Sequence, residues 1–194
     1  MFADEIKNLK ILSTYLSLRD SIKTGDLIEF AGASLVSKAI RAVTKQDVNH
    51  SALVIAPPDF CGLKHRRILL ESLANGIEPN YLSERIVQTH NEGGSVYWSP
   101  LLDRFDSERV CVGTWAVDEY LLKKPKYDYG SLCAQLFSRV SADARRYFCS
   151  EWVEFCLRAS PRLCQIVETL AGGKATRPGE FRRLGVFGDP VWIG

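Results

Sequence analysis

The sequence lacks the patterns that mark several large classes of protein. It has no apolar run near the roughly 20 residues that a membrane-spanning helix needs, no glycine-rich phosphate loop and no Cys-x-x-Cys pair. Its 25 Lys and Arg nearly balance 23 Asp and Glu, and the formal charge of +2 gives no general attraction to phosphate backbones. We therefore expect no transmembrane segment, no nucleotide hydrolysis and no nucleic-acid partner.

The first twenty residues also lack the pattern of a secretory signal. Charged residues interrupt them, and Ile6, Leu9, Leu12 and Leu16 fall at the spacing of an amphipathic helix. The six cysteines are too sparse for a disulfide scaffold, and the three histidines stand at no zinc-ligand spacing. We expect a cytoplasmic protein, or a phage or virion component, without metal or organic cofactor.

Apolar residues make up 46% of the 194 residues, which is enough for the core of one domain. β-Branched and apolar runs predict strands at 26–30, 48–56, 68–73 and 95–98. Helical spacing and breakers predict helices at 4–18, 33–43, 80–89, 107–122, 129–139 and 149–159. Central strands with outer helices indicate the α+β class.

We interpret residues 1–194 as a single domain with three parts. An N-terminal helix occupies 1–22, a catalytic core occupies 23–160, and a turn-rich tail occupies 161–194. The tail retains apolar residues between its glycines and prolines, so we expect it to wrap back on the core.

Cys149 is the strongest candidate nucleophile in the sequence. It lies one turn before an apolar stripe formed by Trp152, Val153, Cys156 and Leu157, at the predicted start of a helix. Free backbone N–H groups and the helix dipole lower the pKa of a thiol at that position. The alternative is a buried structural cysteine, since free cysteine is among the most buried residue types.

His50 and Glu71 are polar residues inside apolar strands. Strand alternation places His50 on one face with Ala52 and Val54, and Glu71 follows an Ile-Leu-Leu run in the neighbouring strand. A buried carboxylate needs a partner, and His50 can be that partner. A nucleophilic cysteine needs a base, and the base needs a group that fixes its tautomer. Cys149, His50 and Glu71 supply these three roles, although His50 could instead be an ordinary core histidine.

These residues stand in short motifs that resemble a known superfamily. The motifs are Gly25-Asp26-Leu27-Ile28, Asn49-His50-Ser51-Ala52-Leu53-Val54, Leu70-Glu71-Ser72, Tyr127-Asp128-Tyr129 and Phe148-Cys149-Ser150-Glu151-Trp152-Val153. In this order and spacing they resemble the circularly permuted papain-like hydrolases of the NlpC-like superfamily, especially the YiiX/YaeF type. The likeness runs from about residue 23 to 160.

The resemblance implies a permuted papain-like fold in which a small antiparallel sheet or half-barrel packs against helices. It also implies a Cys149 nucleophile, a His50 base and a Glu71 orienting acid. Tyr127, Tyr129 and Asp26 are further candidates for substrate or oxyanion contacts, with core packing or turn bracing as their alternatives.

The implied activity is that of a cysteine hydrolase or acyltransferase. An amidase or peptidase acting on peptide or peptidoglycan-like links is the first reading, and transfer or hydrolysis of lipid esters or thioesters is the second. A non-catalytic structural or binding protein on the same fold, such as a virion component, is the competing class.

Overall fold

The computed structural model describes residues 2–58, 62–73, 76–123, 144–171 and 176–194. Within these residues six strands form one antiparallel sheet, in the order β4-β3-β2-β1-β5-β6. The strands are β1 (Leu27–Ala31), β2 (His50–Ile55), β3 (Ile68–Leu73), β4 (Gly76–Tyr81), β5 (Ser95–Ser99) and β6 (Val191–Trp192). The α+β class is thus confirmed.

Helices flank the sheet in the described residues. They are α1 (Phe2–Ile11), α2 (Ser13–Leu18), α3 (Leu35–Thr44), α4 (Leu82–Asn91), α5 (Arg109–Asp118), α6 (Ala144–Arg158) and α7 (Pro161–Ala171). A π-helical turn, Glu119–Lys123, extends α5. Two predicted features lie outside the described residues: the helix at 129–139, and Asn75 of the turn before β4.

Apolar side chains alternate along the strands, so each face of the sheet contributes to its own hydrophobic cluster. Leu27, Leu53 and Leu70 pack with residues of α5, α6 and α7 on one face. Ile28, Ala52, Val54 and Leu69 belong to the cluster that contains residues of α1, α2 and α4. A sheet covered on both faces places its polar strand residues in buried surroundings.

The N-terminal helix differs from the prediction in where it is buried. It divides at Leu12 into α1 and α2, and among its described side chains Ile11 and Tyr15 are buried in the core, with Leu12 and Leu18 partly buried against it. Leu9 and Leu16 of the predicted stripe are exposed. Ile11 and Tyr15 are four residues apart, and the Leu16 N–H donates to the Leu12 carbonyl at 2.8 Å, so the helical spacing continues across the division and the buried stripe is displaced from the predicted one.

β4 was not predicted as a strand, and Pro79 explains why. Proline cannot donate to a β-ladder, which argues against a strand in a sequence pattern. Pro79 lies on β4, the outermost strand of the sheet, and pairs with Leu70 of β3. At this edge the position of the missing N–H can face away from the ladder.

The C-terminal segment packs against both faces. Phe181 and Phe187 belong to the cluster on the α6 side, while Ile193 belongs to the cluster on the α4 side. Its last strand, β6, pairs with β5. Buried Glu29 of β1 accepts hydrogen bonds from the Gly179 N–H at 2.8 Å and from Arg182 Nε at 2.7 Å.

Candidate active site

His50 and Glu71 meet on one face of the sheet. His50 opens β2, and Glu71 lies in the adjacent strand β3. The imidazole Nε2 is 2.8 Å from Glu71 Oε2, and the Glu71 side chain is fully buried. The carboxylate therefore holds the proton on Nε2 and leaves Nδ1 as the ring nitrogen available to the nucleophile.

Two further residues surround the Glu71 carboxylate. Asn80 of β4 donates its side-chain N–H to Oε1 at 2.9 Å. Arg85 of α4 donates to Oε2 at 3.3 Å, and its Nε lies 2.8 Å from Oε1. Burial raises the pKa of Glu71, but its hydrogen bonds and ion pairs with His50 and Arg85 hold that pKa below its usual value. Glu71 is therefore ionised in spite of its burial.

Cys149 approaches from the other side of the sheet. It lies in α6, whose Trp152 and Val153 pack on the face opposite to the α4 cluster. Cys149 is 3% exposed, and it lines the same cavity as His50. Because His50 is the first residue of β2, Cys149 and His50 meet at the end of the sheet.

The prediction that Cys149 heads its helix is wrong. The helix begins at Ala144, five residues earlier. The N–H of the sixth helical residue is directed to the carbonyl four positions before it, so it is not one of the free N–H groups of the first turn. Alanine and arginine at 144–146 favour helix, which extends the element beyond the predicted start.

The thiol is activated by other groups. Burial raises the pKa of Cys149, yet the charge of His50, a hydrogen bond with His50 and the backbone N–H groups of Ser51 and Ser150 together hold it below its usual value. Burial likewise lowers the pKa of His50, but Cys149 and Glu71 raise it to about 9. Both shifts act in the direction that favours thiolate with imidazolium.

A cavity of about 250 Å³ opens onto this pair. Its lining residues are Phe30, Gly32, Ser37, Asn49, His50, Arg85, Thr89, Glu92 and Cys149. The Phe30 and His50 rings lie 5.4 Å apart, and the Arg85 guanidinium lies 5.0 Å from the centre of the Phe30 ring. A small group can therefore reach the sulfur beside polar donors and one aromatic wall.

The structure does not bring Asp26 to this cavity. Asp26 is fully buried and accepts hydrogen bonds from Trp98 Nε1 (2.8 Å), the Leu101 N–H (2.9 Å) and Arg109 Nη1 (2.6 Å). It also accepts from the Lys23 N–H at 2.9 Å. These donors satisfy both carboxylate oxygens, so Asp26 joins β1 to β5 and α5. Tyr127 and Tyr129 lie outside the described residues.

Sequence reasoning missed Asn80, Arg85 and Asn49. Arg85 could have been found from the sequence, because it is a charged residue between Leu82 and Ile86, the apolar positions of the same helix that are buried. Asn80 lies in β4, which was not predicted as a strand because it contains Pro79. Asn49 belongs to the motif that contains His50, but the chemical argument used only the histidine.

The described geometry thus defines an α+β protein with a Cys-His-Glu cluster at the end of its sheet. No protein-family model and no curated protein matches the chain. Among solved structures it is similar to the metalloprotein YiiX from Escherichia coli O157:H7, with a TM-score of 0.52 and 17% identity. The match covers 89% of this chain and 96% of that one. The likeness shows a YiiX-like fold.

The cluster in this chain does not fit a metal. Glu71 already binds the Arg85 cation, the Asn80 amide and His50, so a metal would have to displace a guanidinium. Across the described ranges no three His, Cys, Asp or Glu side chains are grouped as metal ligands. Among the helices of these same ranges, none is both long and apolar enough to cross a membrane.

Proposed function

We propose that the protein is a cysteine hydrolase or acyltransferase on a permuted papain-like fold, acting first on an amide of peptide or peptidoglycan-like type. The observation that carries this proposal is geometric: Cys149 and His50 line one cavity, and the buried Glu71 carboxylate lies 2.8 Å from Nε2 of His50. The lowered pKa of Cys149 and the raised pKa of His50 support it. A structural cysteine in an apolar core has its pKa raised by burial, as Cys156 does.

The reaction would proceed in two halves. The Cys149 thiolate attacks the carbonyl carbon, and the imidazolium of His50 donates its proton to the leaving amine as the acyl-enzyme forms. Neutral His50 then removes a proton from water or an amine acceptor, which attacks the thioester and releases the acyl group. Glu71 keeps Nε2 protonated and stabilises each imidazolium.

Lipid ester or thioester chemistry is the second reading, because the same nucleophile attacks those carbonyls as well. Paired libraries of peptide amides and acyl esters therefore separate the two readings by the ratio of their kcat/KM values. A non-catalytic protein would turn over neither library.

The decisive experiment is acylation of Cys149 by p-nitrophenyl acetate, followed by release of p-nitrophenolate and by mass mapping. We expect a stoichiometric burst located on Cys149, with no burst from Cys149→Ala. Cys111→Ala is the matched control, because Cys111 is an exposed cysteine on α5. Absence of the burst in the wild-type protein would contradict the proposal.

A further inference from the structure

Asn49 lies beside the Cys149–His50 pair. It immediately precedes His50, is partly buried and lines the same cavity as Cys149. Its backbone N–H donates to the Phe30 carbonyl at 2.8 Å, which fixes the residue to the end of β1. Its position is thus set by the same two strands that position the base.

The orientation of the Asn49 amide follows from a second hydrogen bond. Asn49 Oδ1 accepts from the Gly32 N–H at 2.6 Å. Because a backbone N–H can only donate, the oxygen of the amide must face Gly32, and the NH₂ group faces elsewhere. Within the described ranges no hydrogen bond engages Asn49 Nδ2.

The reaction needs such a donor. Attack on a carbonyl places negative charge on its oxygen, and hydrolases stabilise that charge with preorganised N–H groups. The Cys149 N–H belongs to the interior of α6 and is not free for this purpose. The Ser150 N–H belongs to the same helical interior, and the Ser51 N–H is directed at the sulfur itself.

We infer that Asn49 Nδ2 is the side-chain donor of the oxyanion hole, an inference that rests on the proposed function. The Gly32 N–H holds the amide from behind, so no reorganisation is needed when the charge develops. Gly32 suits this close arrangement, since a Cβ there would lie 2.6 Å from Ser37 Oγ and 3.3 Å from Asn49 Oδ1.

The test compares two reactions of the same sulfur. Acylation by p-nitrophenyl acetate develops an oxyanion, whereas alkylation by iodoacetamide is a displacement that develops none. Asn49→Asp keeps the acceptor for Gly32 but loses the donor, while Asn49→Ala loses both without adding charge. We expect both variants to acylate on the order of 100-fold more slowly, with alkylation of the neutral Asn49→Ala variant changed less than threefold.

Asn91→Ala and Asn91→Asp are the matched controls, because Asn91 is exposed at the end of α4 and does not line the cavity. They should acylate and alkylate at wild-type rates. If acylation and alkylation change by equal factors in the Asn49 variants, or neither changes, the oxyanion role is overturned while the proposed function stands. Failure of the wild-type protein to acylate would overturn both.

Discussion

His50 lies beside Cys149, and its positive charge favours the thiolate. Burial alone raises the pKa of the thiol, and the charge of His50 is the largest influence that lowers it. We therefore predict that His50→Gln raises the pKa of Cys149 and slows its alkylation by iodoacetamide at pH 7 by about tenfold or more.

Mass mapping of the alkylated protein measures this rate at each cysteine. Exposed Cys111 is the internal reference, since its rate should not respond to the substitution. Wild-type Cys149 should react faster than Cys111 in spite of its burial. Equal rates at Cys149 in the two proteins would remove His50 as the activating group.

Glu71 acts on His50 through both charge and orientation. We predict that Glu71→Gln lowers kcat with little change in KM and raises the pH at which Cys149 becomes alkylated, because an amide neither stabilises the imidazolium nor fixes its tautomer. Glu84→Gln, an exposed change on α4 with the same loss of charge, is the control. If activity falls only in proportion to the fraction of folded protein, the role of Glu71 is structural.

The same substitution has a pH-dependent effect on stability. The pKa of Glu71 is lowered in the fold, so its contribution is present above its usual value of 4.5 and is lost as the pH falls through the folded value. We expect Glu71→Gln to cost about 2 kcal/mol of unfolding free energy at pH 6. Denaturant titrations should show the difference from wild type narrowing below pH 4.5.

At the level of elements, Asp26 binds β1 to the loop after β5 and to α5. We predict that Asp26→Asn lowers the unfolding free energy by about 3 kcal/mol, because it removes the buried one of the two anions that Arg109 binds and places an amide N–H₂ group against other donors. The rate of Cys149 alkylation in the folded fraction should remain at the wild-type value. If the rate of Cys149 alkylation falls while the unfolding free energy is unchanged, Asp26 belongs to the candidate site after all.

The sequence predicted the elements whose pattern is local and missed those that tertiary context decides. Four strands have continuous apolar runs, and the polar residues His50 and Glu71 were conspicuous within two of them. β4 contains Pro79, which only its place at the sheet edge permits. The start of α6 was placed at Cys149 because the apolar stripe begins there, whereas the helix itself extends into polar residues.

The candidate site was predictable as a set of residue types but not as a network. Cys149, His50 and Glu71 were chosen because each was anomalous in its own segment. Arg85 and Asn80 enter through contacts between α4, β3 and β4, which no spacing along the chain encodes. The amide orientation of Asn49 depends on the Gly32 N–H, 17 residues away in sequence.

At the scale of the whole molecule, the C-terminal segment supplies part of the core. Phe181 is fully buried and packs edge-on against Phe187. We predict that Phe181→Ala lowers the unfolding free energy by about 3 to 5 kcal/mol. Trp192→Ala, in which an exposed aromatic of β6 is removed, should cost less than about 1 kcal/mol. Thermal and denaturant unfolding measure both changes. Equal losses of unfolding free energy in the two variants would contradict the view that the segment forms part of the core.

The proline in β4 limits how other chains can associate with the sheet. An edge strand normally offers a row of free N–H and C=O groups to any extended peptide. Pro79 removes one donor from one outer edge, and β6 closes the other edge with a strand of only two residues. If the substrate is a peptide, as proposed, it would therefore gain little by adding itself as a seventh strand, and its recognition would fall to the side chains around the cavity.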